Sequence, residues 1–235
     1  MIHYLTFAGK SSRDFGVFIS GAKTFGSGAR DFEQISIPGR NGDLLFDNGR
    51  FKNVKVTYSA YIVRNFNTNY NAFNSWLMSK RAYARLEDTY QPDIYRLAFF
   101  SAGLQSEPDI RLGVGAFKIE FNCKPQKYLK SGEIPVTYTG TGEIYNVTEY
   151  DARPLIRCYG TGGTVAVNGI RVNVTGCSAY VDLDCDLMEA YEGAANRNGT
   201  TTLLDGDFPV LKPGSNAVSF TGWSKVEIVP RWWRI

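Results

Sequence analysis

Residues 52–63 read Lys-Asn-Val-Lys-Val-Thr-Tyr-Ser-Ala-Tyr-Ile-Val, and this stretch decides the fold class. Its apolar side chains recur at every second position, with Lys, Thr and Ser between them. Because successive side chains of a strand point to opposite faces of a sheet, the alternation predicts a strand with one buried face. The predicted buried face consists of Val54, Val56, Tyr58, Ala60 and Ile62, opposite Lys55, Thr57, Ser59 and Tyr61.

The same strand signal recurs along most of the chain. The 235 residues are 43% hydrophobic and 14% aromatic, and aromatic residues favour strands. One helix is expected from about Asn69 to Lys80, with Thr68 as its N-cap. Its apolar face comprises Tyr70, Phe73, Trp76 and Leu77. The chain is therefore expected to be mainly β with one main α-helix.

A run of turn residues interrupts the strands of the first half. Pro38-Gly39-Arg40-Asn41-Gly42-Asp43 combines Pro-Gly with Asn-Gly, and Gly and Asn accept the positive φ of tight turns. Leu44, Leu45 and Phe46 follow at once. We expect these three side chains to re-enter apolar surroundings.

The segment from Pro125 to Pro135 has no apolar period and predicts a domain boundary. We expect one domain over residues 1–130 and a second over residues 131–235. Helical signals nearly vanish after the boundary, and short strands follow at even spacing. Asn168-Gly169 fits the type I′ turn of a β-hairpin. The second domain is therefore predicted to be a β-sandwich.

Charge is distributed unevenly between the two predicted domains. Residues 1–130 contain 18 Lys and Arg against 11 Asp and Glu, a balance of +7, whereas residues 131–235 have a balance of −4. Two readings stay open: two solvated surfaces of different composition, or a basic half that faces an acidic partner or nucleic acid. Sequence-specific DNA binding is not expected, because no run of Lys and Arg is present.

The cysteines predict free thiols and not a disulfide framework. Neither a signal peptide nor a transmembrane segment is recognisable, so we expect a chain that folds in a reducing cytoplasm. A zinc site is not expected, because the cysteines form no Cys-x-x-Cys pair and His3 is distant in sequence. The expected buried thiols are those of Cys123, Cys158, Cys177 and Cys185.

No motif predicts catalysis or a cofactor. Asp182, Asp184 and Asp186 have the spacing of an EF-hand start, but Leu187 stands where glycine is needed. We therefore interpret the three aspartates as the exposed face of a strand, and expect no catalytic, cofactor-binding or metal site. Sequence alone does not exclude a carboxylate pair for glycoside hydrolysis, because that spacing is spatial.

Three tryptophans lie near the C-terminal end of the sequence: Trp223, Trp232 and Trp233. They could form a sugar-stacking platform on the sandwich. They could equally be core and interface residues around the last strand. We favour the structural interpretation and keep the platform as an alternative.

Several motifs in order resemble the phage distal tail protein family. The resemblance begins with residues 35–43, Asp47-Asn-Gly49 and the alternating strand to Val63. It continues along most of the chain through Phe73…Trp76-Leu77, Leu86-Glu-Asp-Thr-Tyr90, Tyr95-Arg-Leu-Ala98, Phe121-Asn-Cys-Lys-Pro125, Val181-Asp-Leu-Asp, Met188-Glu-Ala-Tyr191 and Phe208-Pro-Val-Leu-Lys-Pro-Gly214.

The resemblance implies a structural protein of the virion, made in the host cytoplasm and located at the tail tip of a long, non-contractile-tailed phage. Residues 1–130 would form a tail-tube-like belt domain that closes into a hexameric ring. Residues 131–235 would form a galectin-like or carbohydrate-module-like β-sandwich outside the ring. The implied partners are other copies of the chain, the tail tube protein, and the tail-tip fibre or tail-associated lysin. A receptor-binding protein or a host wall saccharide are further candidates, and DNA would pass through the ring as cargo.

Four residues are candidates for ring contacts: Arg40, Asn41, Tyr61 and Tyr83. The tyrosines suit subunit contacts, because aromatic residues are enriched at interfaces. Arg40 and Asn41 lie in the predicted turn, whose composition could also serve the backbone alone. An alternative function is a carbohydrate-binding adaptor that recognises host cell-wall sugars through the sandwich, and a wall hydrolase is a third hypothesis.

Overall fold

The computed structural model describes residues 2–21, 23, 26–109 and 111–235. The chain divides into two compact units, Met1–Lys127 with Ile235 and Tyr128–Arg234. Strands dominate both units, and one α-helix, Phe66–Met78, lies in the first. The predicted fold class, mainly β with one main α-helix, is confirmed. Within the described ranges, no helix has the length and apolar character needed to cross a membrane.

The first unit contains an antiparallel sheet whose strands do not follow sequence order, a separate two-stranded ribbon and the helix. Its elements are β1 (Leu5–Phe7), β2 (Lys10–Ser11), a 3₁₀ helix (Ser12–Phe15), β3 (Val17–Ile19), β4 (Arg30–Ile35), β5 (Leu44–Phe51), β6 (Val54–Ile62), α1 (Phe66–Met78), β7 (Ala84–Asp88), β8 (Ile94–Phe99) and β9 (Gly115–Cys123). Seven strands of this unit follow the order β2-β1-β7-β8-β9-β6-β3, and β4 and β5 form a separate two-stranded sheet.

The predicted alternating strand is β6, which lies between β9 and the edge strand β3. β6 pairs with β9 along its whole length, from Val54 opposite Cys123 to Ile62 opposite Gly115. Its five predicted apolar residues are all buried, and the alternate residues are exposed or half-buried. The core lies on this apolar face, where Phe73 and Leu77 of α1 are fully buried.

The helix begins earlier than the sequence predicts. Its N-cap is Asn65 and not Thr68, because the ring of Phe66 is buried and the Phe66 N–H donates to the Gly113 carbonyl at 3.1 Å. Asn65 has φ 51°, a conformation that Asn adopts more readily than most residues. The helix ends at Met78, two residues before the predicted Lys80, where Ser79 Oγ donates to the Trp76 carbonyl at 2.7 Å. Packing of Phe66 therefore sets the start of the helix.

The second unit is a β-sandwich with almost no helix. From the division onward the elements are β10 (Lys127–Leu129), a 3₁₀ helix (Lys130–Glu133), β11 (Val136–Tyr138), β12 (Gly142–Asn146), β13 (Leu155–Tyr159), β14 (Gly162–Val167), β15 (Ile170–Thr175), β16 (Tyr180–Asp184), β17 (Glu189–Glu192), β18 (Ala195–Asn196), a 3₁₀ helix (Asn198–Thr200), β19 (Thr201–Leu203), β20 (Gly214–Thr221), β21 (Lys225–Val229) and β22 (Trp233–Arg234). One sheet has the order β11-β21-β13-β16-β17-β18, and the other has the order β12-β20-β14-β15-β19.

The hairpin predicted from Asn168-Gly169 is present between β14 and β15. Val167 pairs with Ile170 across the two turn residues, whose φ angles are 50° and 84°. Positive φ at both positions is the requirement of a type I′ turn. The prediction of this hairpin is confirmed.

Candidate functional site

The ribbon formed by β4 and β5 exposes apolar side chains on both of its faces. Ile35 pairs with Leu44, and Gln34 pairs with Leu45. Directly opposed side chains share a face, so the two leucines lie on opposite faces of the ribbon. One face contains Phe32 and Leu45, and the other contains Ile35, Leu44 and Phe46. Leu45 and Phe46 are 58% and 57% exposed, so neither face is covered.

The expectation that Leu44, Leu45 and Phe46 re-enter apolar surroundings is wrong. All three side chains are more than half exposed. Consecutive strand residues point to alternate faces, so a single core covers at most one side of such a triplet. The unbroken triplet is itself the sequence signal for a ribbon that needs cover on both faces.

Ion pairs hold the base of the ribbon. The buried Asp31 carboxylate accepts a hydrogen bond from Arg50 Nε at 2.7 Å and lies 3.2 Å from Lys52 Nζ. Hydrogen bonds from Arg50 and then Lys52 lower the pKa of the Asp31 carboxyl. On the ribbon itself, Arg30 Nη1 lies 3.3 Å from Asp47 Oδ2. A two-stranded ribbon alone is marginally stable, so these contacts help to hold its two strands together.

Arg40 and Asn41 lie in the turn at the tip of the ribbon, and both are exposed. The turn is closed by a hydrogen bond from the Arg40 N–H to the Ile37 carbonyl at 3.1 Å. Gly39 and Gly42 have φ angles of 79° and 81°, which glycine adopts without strain. The backbone requirement explains the glycines, while the Arg40 and Asn41 side chains remain available to a partner.

The two candidate tyrosines occupy different places in the first unit. Tyr61 is half-buried on the outward face of β6, with its ring centroid 5.9 Å from that of Phe18. Tyr83 is 41% exposed, and its hydroxyl accepts a hydrogen bond from Asn53 Nδ2 at 2.8 Å. The structure therefore does not bring Tyr61, Tyr83 and the ribbon tip together in one cluster.

A groove lies on the outward side of the β6–β9 strand pair. It is open to solvent and has a volume of about 870 Å³, with one wall of strand residues and one wall from the segment 102–107. That segment is held in place by an isolated bridge between Ser106 and Phe117 and by a hydrogen bond from Ser106 Oγ to the Ala116 carbonyl at 2.8 Å. Six of its lining residues are Ala60, Ala102, Gly103, Gln105, Ala116 and Lys118. No local sequence pattern marks this groove, because its walls are distant in sequence.

The tryptophans do not form an exposed platform. Trp223 and Trp232 are each 6% exposed, so their rings belong to the interior of the second unit. Trp233 is half-buried, stacks on Tyr150 at a centroid distance of 4.4 Å and donates its indole N–H to the Asp151 carbonyl at 2.9 Å. Burial of two of the three rings favours the structural interpretation over sugar stacking.

The interpretation of the three aspartates as one exposed strand face is wrong. β16 ends at Asp184, so Asp186 lies in the following turn, and Asp182 and Asp184 are buried. Arg157 donates to both oxygens of Asp182 at 2.6 and 2.7 Å, and Arg231 does the same for Asp184. Each carboxylate is thereby neutralised by a guanidinium. Across the described residues, no group of three His, Cys, Asp or Glu side chains is placed to hold a metal ion.

All four cysteines are free and buried, as the sequence predicts. Burial raises the pKa of the Cys123 and Cys185 thiols to about 12, and it also raises the pKa of Cys158 and Cys177. A thiol with a raised pKa is a poor nucleophile and a poor metal ligand. These side chains are therefore packing residues of the two cores.

Known proteins resemble this chain in structure but not at the level of sequence. No protein-family model and no curated protein matches the sequence. The SPP1 Dit protein (gp 19.1), described as a paradigm of the hub adsorption apparatus in phages that infect Gram-positive hosts, has 13% sequence identity and a TM-score of 0.77, with all of both chains covered. Two structures of the phage p2 baseplate in its activated conformation, with Sr and with Ca, have 11% identity and TM-scores of 0.57, with 97% of each chain covered.

These similarities extend across both units, although hardly any sequence identity remains. The resemblance to distal tail proteins inferred from the sequence motifs is confirmed for the fold. Over its whole length, this chain has the fold of the SPP1 Dit protein.

Proposed function

We propose that this chain is a distal tail protein of a phage with a long, non-contractile tail. In this role it forms a hexameric ring at the tail tip and acts as the hub of the baseplate. It acts through surfaces and not through catalysis. The full-length similarity in fold to the SPP1 hub protein and to the p2 baseplate supports the proposal. The virion tail tip is the proposed location, after synthesis in the host cytoplasm.

The observation that carries this proposal is the two-faced apolar ribbon. Phe32 and Leu45 on one face, and Leu44 and Phe46 on the other, are 42–58% exposed. Burial of apolar area contributes about 25 cal/mol for each Å², so a neighbour that covers the ribbon gains stability. Exposed strand edges are likewise covered when copies close into a ring. A surface of this kind fits an assembly protein better than a monomeric enzyme.

The remaining partners are proposed from the hub role. Residues 1–130 form the belt, which contacts the tail tube protein on one side and the tail-tip fibre or tail-associated lysin on the other. The balance of +7 in this part suits a ring through which DNA passes. Residues 131–235 form a sandwich on the outside of the ring, where a receptor-binding protein could attach. Sugar recognition by the tryptophans is not part of the proposal, because Trp223 and Trp232 are buried.

The proposal is tested by the mass and shape of the purified full-length chain. We expect rings in negative-stain electron microscopy and a light-scattering mass of six chains of 26.2 kDa each. The double variant Leu45→Asp with Phe46→Asp places charge on both faces of the ribbon and should abolish the rings. Leu204→Asp is the matched control, because Leu204 is 47% exposed but lies in the second unit. A wild-type chain that stays monomeric at high concentration would contradict the proposal.

A further inference from the structure

We propose that the tip of the β4–β5 ribbon of one copy inserts into the groove between β6–β9 and segment 102–107 of the next copy. The inference rests on the proposed ring and names the surface that receives the ribbon. Three independent features of the first unit support it: the shape of the groove, its position relative to the ribbon, and the charges of the two surfaces.

The shape of the groove matches a ribbon with two apolar faces. The outward-facing residues of the strand wall are Ser59, Ala116, Lys118 and Glu120, and the segment wall includes Ala102 and Gly103. Ala102, Gly103 and Ala116 leave room for larger side chains, and the volume of about 870 Å³, which is open to solvent, accommodates several. Because the groove has two walls, it can cover both faces of an inserted ribbon. A flat surface would cover one face and leave the other in water.

The ribbon and the groove lie toward opposite ends of β6. The base of the ribbon is closed by the Lys52 N–H, which donates to the Ala29 carbonyl at 2.8 Å, directly before β6 begins at Val54. Ser59 in the groove wall is five residues further along, or about 17 Å at ~3.3 Å per residue. A contact between opposite ends of two copies is head-to-tail, and repeated head-to-tail contacts close into rings when the rotation permits.

Charge supports the same pairing. Arg40 at the ribbon tip and Glu107 in the groove are both exposed. In the part of the chain that the structure describes, neither is within ion-pair distance of an opposite charge, whereas the neighbouring groove residue Glu120 pairs with Lys55 at 3.0 Å. Complementary charges at the rim of an interface fix its register and favour the correct encounter. Arg40 of one copy is therefore assigned to Glu107 of the next.

Cysteine cross-linking tests the contact directly. The full-length double variant Leu45→Cys with Gln105→Cys places one thiol on the ribbon and one in the groove. Mild oxidation of assembled particles should give a ladder of covalent multimers on a non-reducing denaturing gel. The native thiols give little background, since burial raises the pKa of each of them. The pair Leu204→Cys with Gln105→Cys is the control and should give no ladder.

Two cross-linking results would overturn the inference. One is the absence of a ladder in particles that electron microscopy shows to be assembled. The other is efficient dimer formation by Leu45→Cys alone, because it would mean that two ribbons meet across a two-fold axis and not in a groove.

Charge reversal supplies a second readout. Arg40→Glu and Glu107→Arg should each weaken assembly by about tenfold, because each places like charges together. The double reversal Arg40→Glu with Glu107→Arg should restore assembly, and failure to restore it would contradict the pairing. These outcomes are separable from the proposed function: a wild-type chain that forms no ring refutes both, whereas intact rings with no ladder refute only the groove.

Discussion

The Arg231 guanidinium donates to both carboxylate oxygens of Asp184, at 2.7 and 2.8 Å, across 47 positions of sequence. Asp184 is 4% exposed, and the pair joins the end of β16 to the segment after β21. The φ of Arg231 is 59°, a conformation uncommon for residues other than glycine. The bidentate contact and the hydrogen bond from the Arg231 N–H to the Gly132 carbonyl, at 2.8 Å, both act at this residue.

Removal of one member of this pair should destabilise the second unit. Arg231→Ala leaves the buried Asp184 carboxylate without its cation, and breaking a buried pair in this way costs about 3 kcal/mol. Urea unfolding followed by circular dichroism measures the change. Arg171→Ala is the control, because the Arg171–Asp205 pair is largely exposed. Equal effects of the two variants would contradict the assignment.

The stability of the second unit should fall in acid through Glu192. The backbone N–H groups of Ala179 and Ser178 donate to its carboxylate and, with Arg197, lower its pKa from 4.5 to about 2. Because the pKa of Glu192 is lower in the folded state, its ionised carboxylate stabilises the folded protein at any pH above the ordinary pKa of 4.5. That stabilisation is lost as the pH falls from about 4.5 to about 2. Glu192→Gln should reduce the pH dependence of the urea midpoint in this window. An unchanged pH profile would show that these contacts do not persist in solution.

Gly163 should not accept a side chain. A Cβ atom at this position would collide with the Thr221 carbonyl oxygen and lie 3.0 Å from the Cα of Gly222. Because backbone moves less easily than a side chain, Gly163→Ala should cost about 1–3 kcal/mol of unfolding free energy. Gly199→Ala is the matched control, since a Cβ there meets nothing within 4 Å. Chemical denaturation measures the unfolding free energies of the two variants. Equal values would mean that β14 and β20 can move apart to admit the added methyl group, which would contradict the prediction.

Tryptophan fluorescence should not respond to cell-wall polysaccharide. Trp223 and Trp232 are buried, and the ring of Trp233 is stacked on Tyr150. A titration of the full-length chain should therefore leave both the intensity and the emission maximum unchanged. A saturable shift that Trp233→Phe abolishes would revive the hypothesis of a carbohydrate-binding adaptor.

Local patterns were sufficient for the strands and the hairpin. The alternation in β6 and the Asn168-Gly169 turn were predicted correctly, because side-chain period and backbone φ are properties of neighbouring residues. The same locality explains an error: the start of α1 depends on Phe66, whose burial is decided by the surrounding sheet. The periodic face at Phe73 and Leu77 was visible in the sequence, but the first turn was not.

The sequence by itself determined the fold class, because the two-residue period of strands and the glycine-bearing turns are local. It also pointed to the distal tail fold through the order of its motifs. Only the tertiary structure decided which side chains are covered: it buried Asp184 against Arg231 and left Leu45 and Phe46 in solvent. Burial depends on residues that are distant in sequence, so no local pattern could identify the groove, although the Leu44-Leu45-Phe46 triplet marks the β4–β5 ribbon.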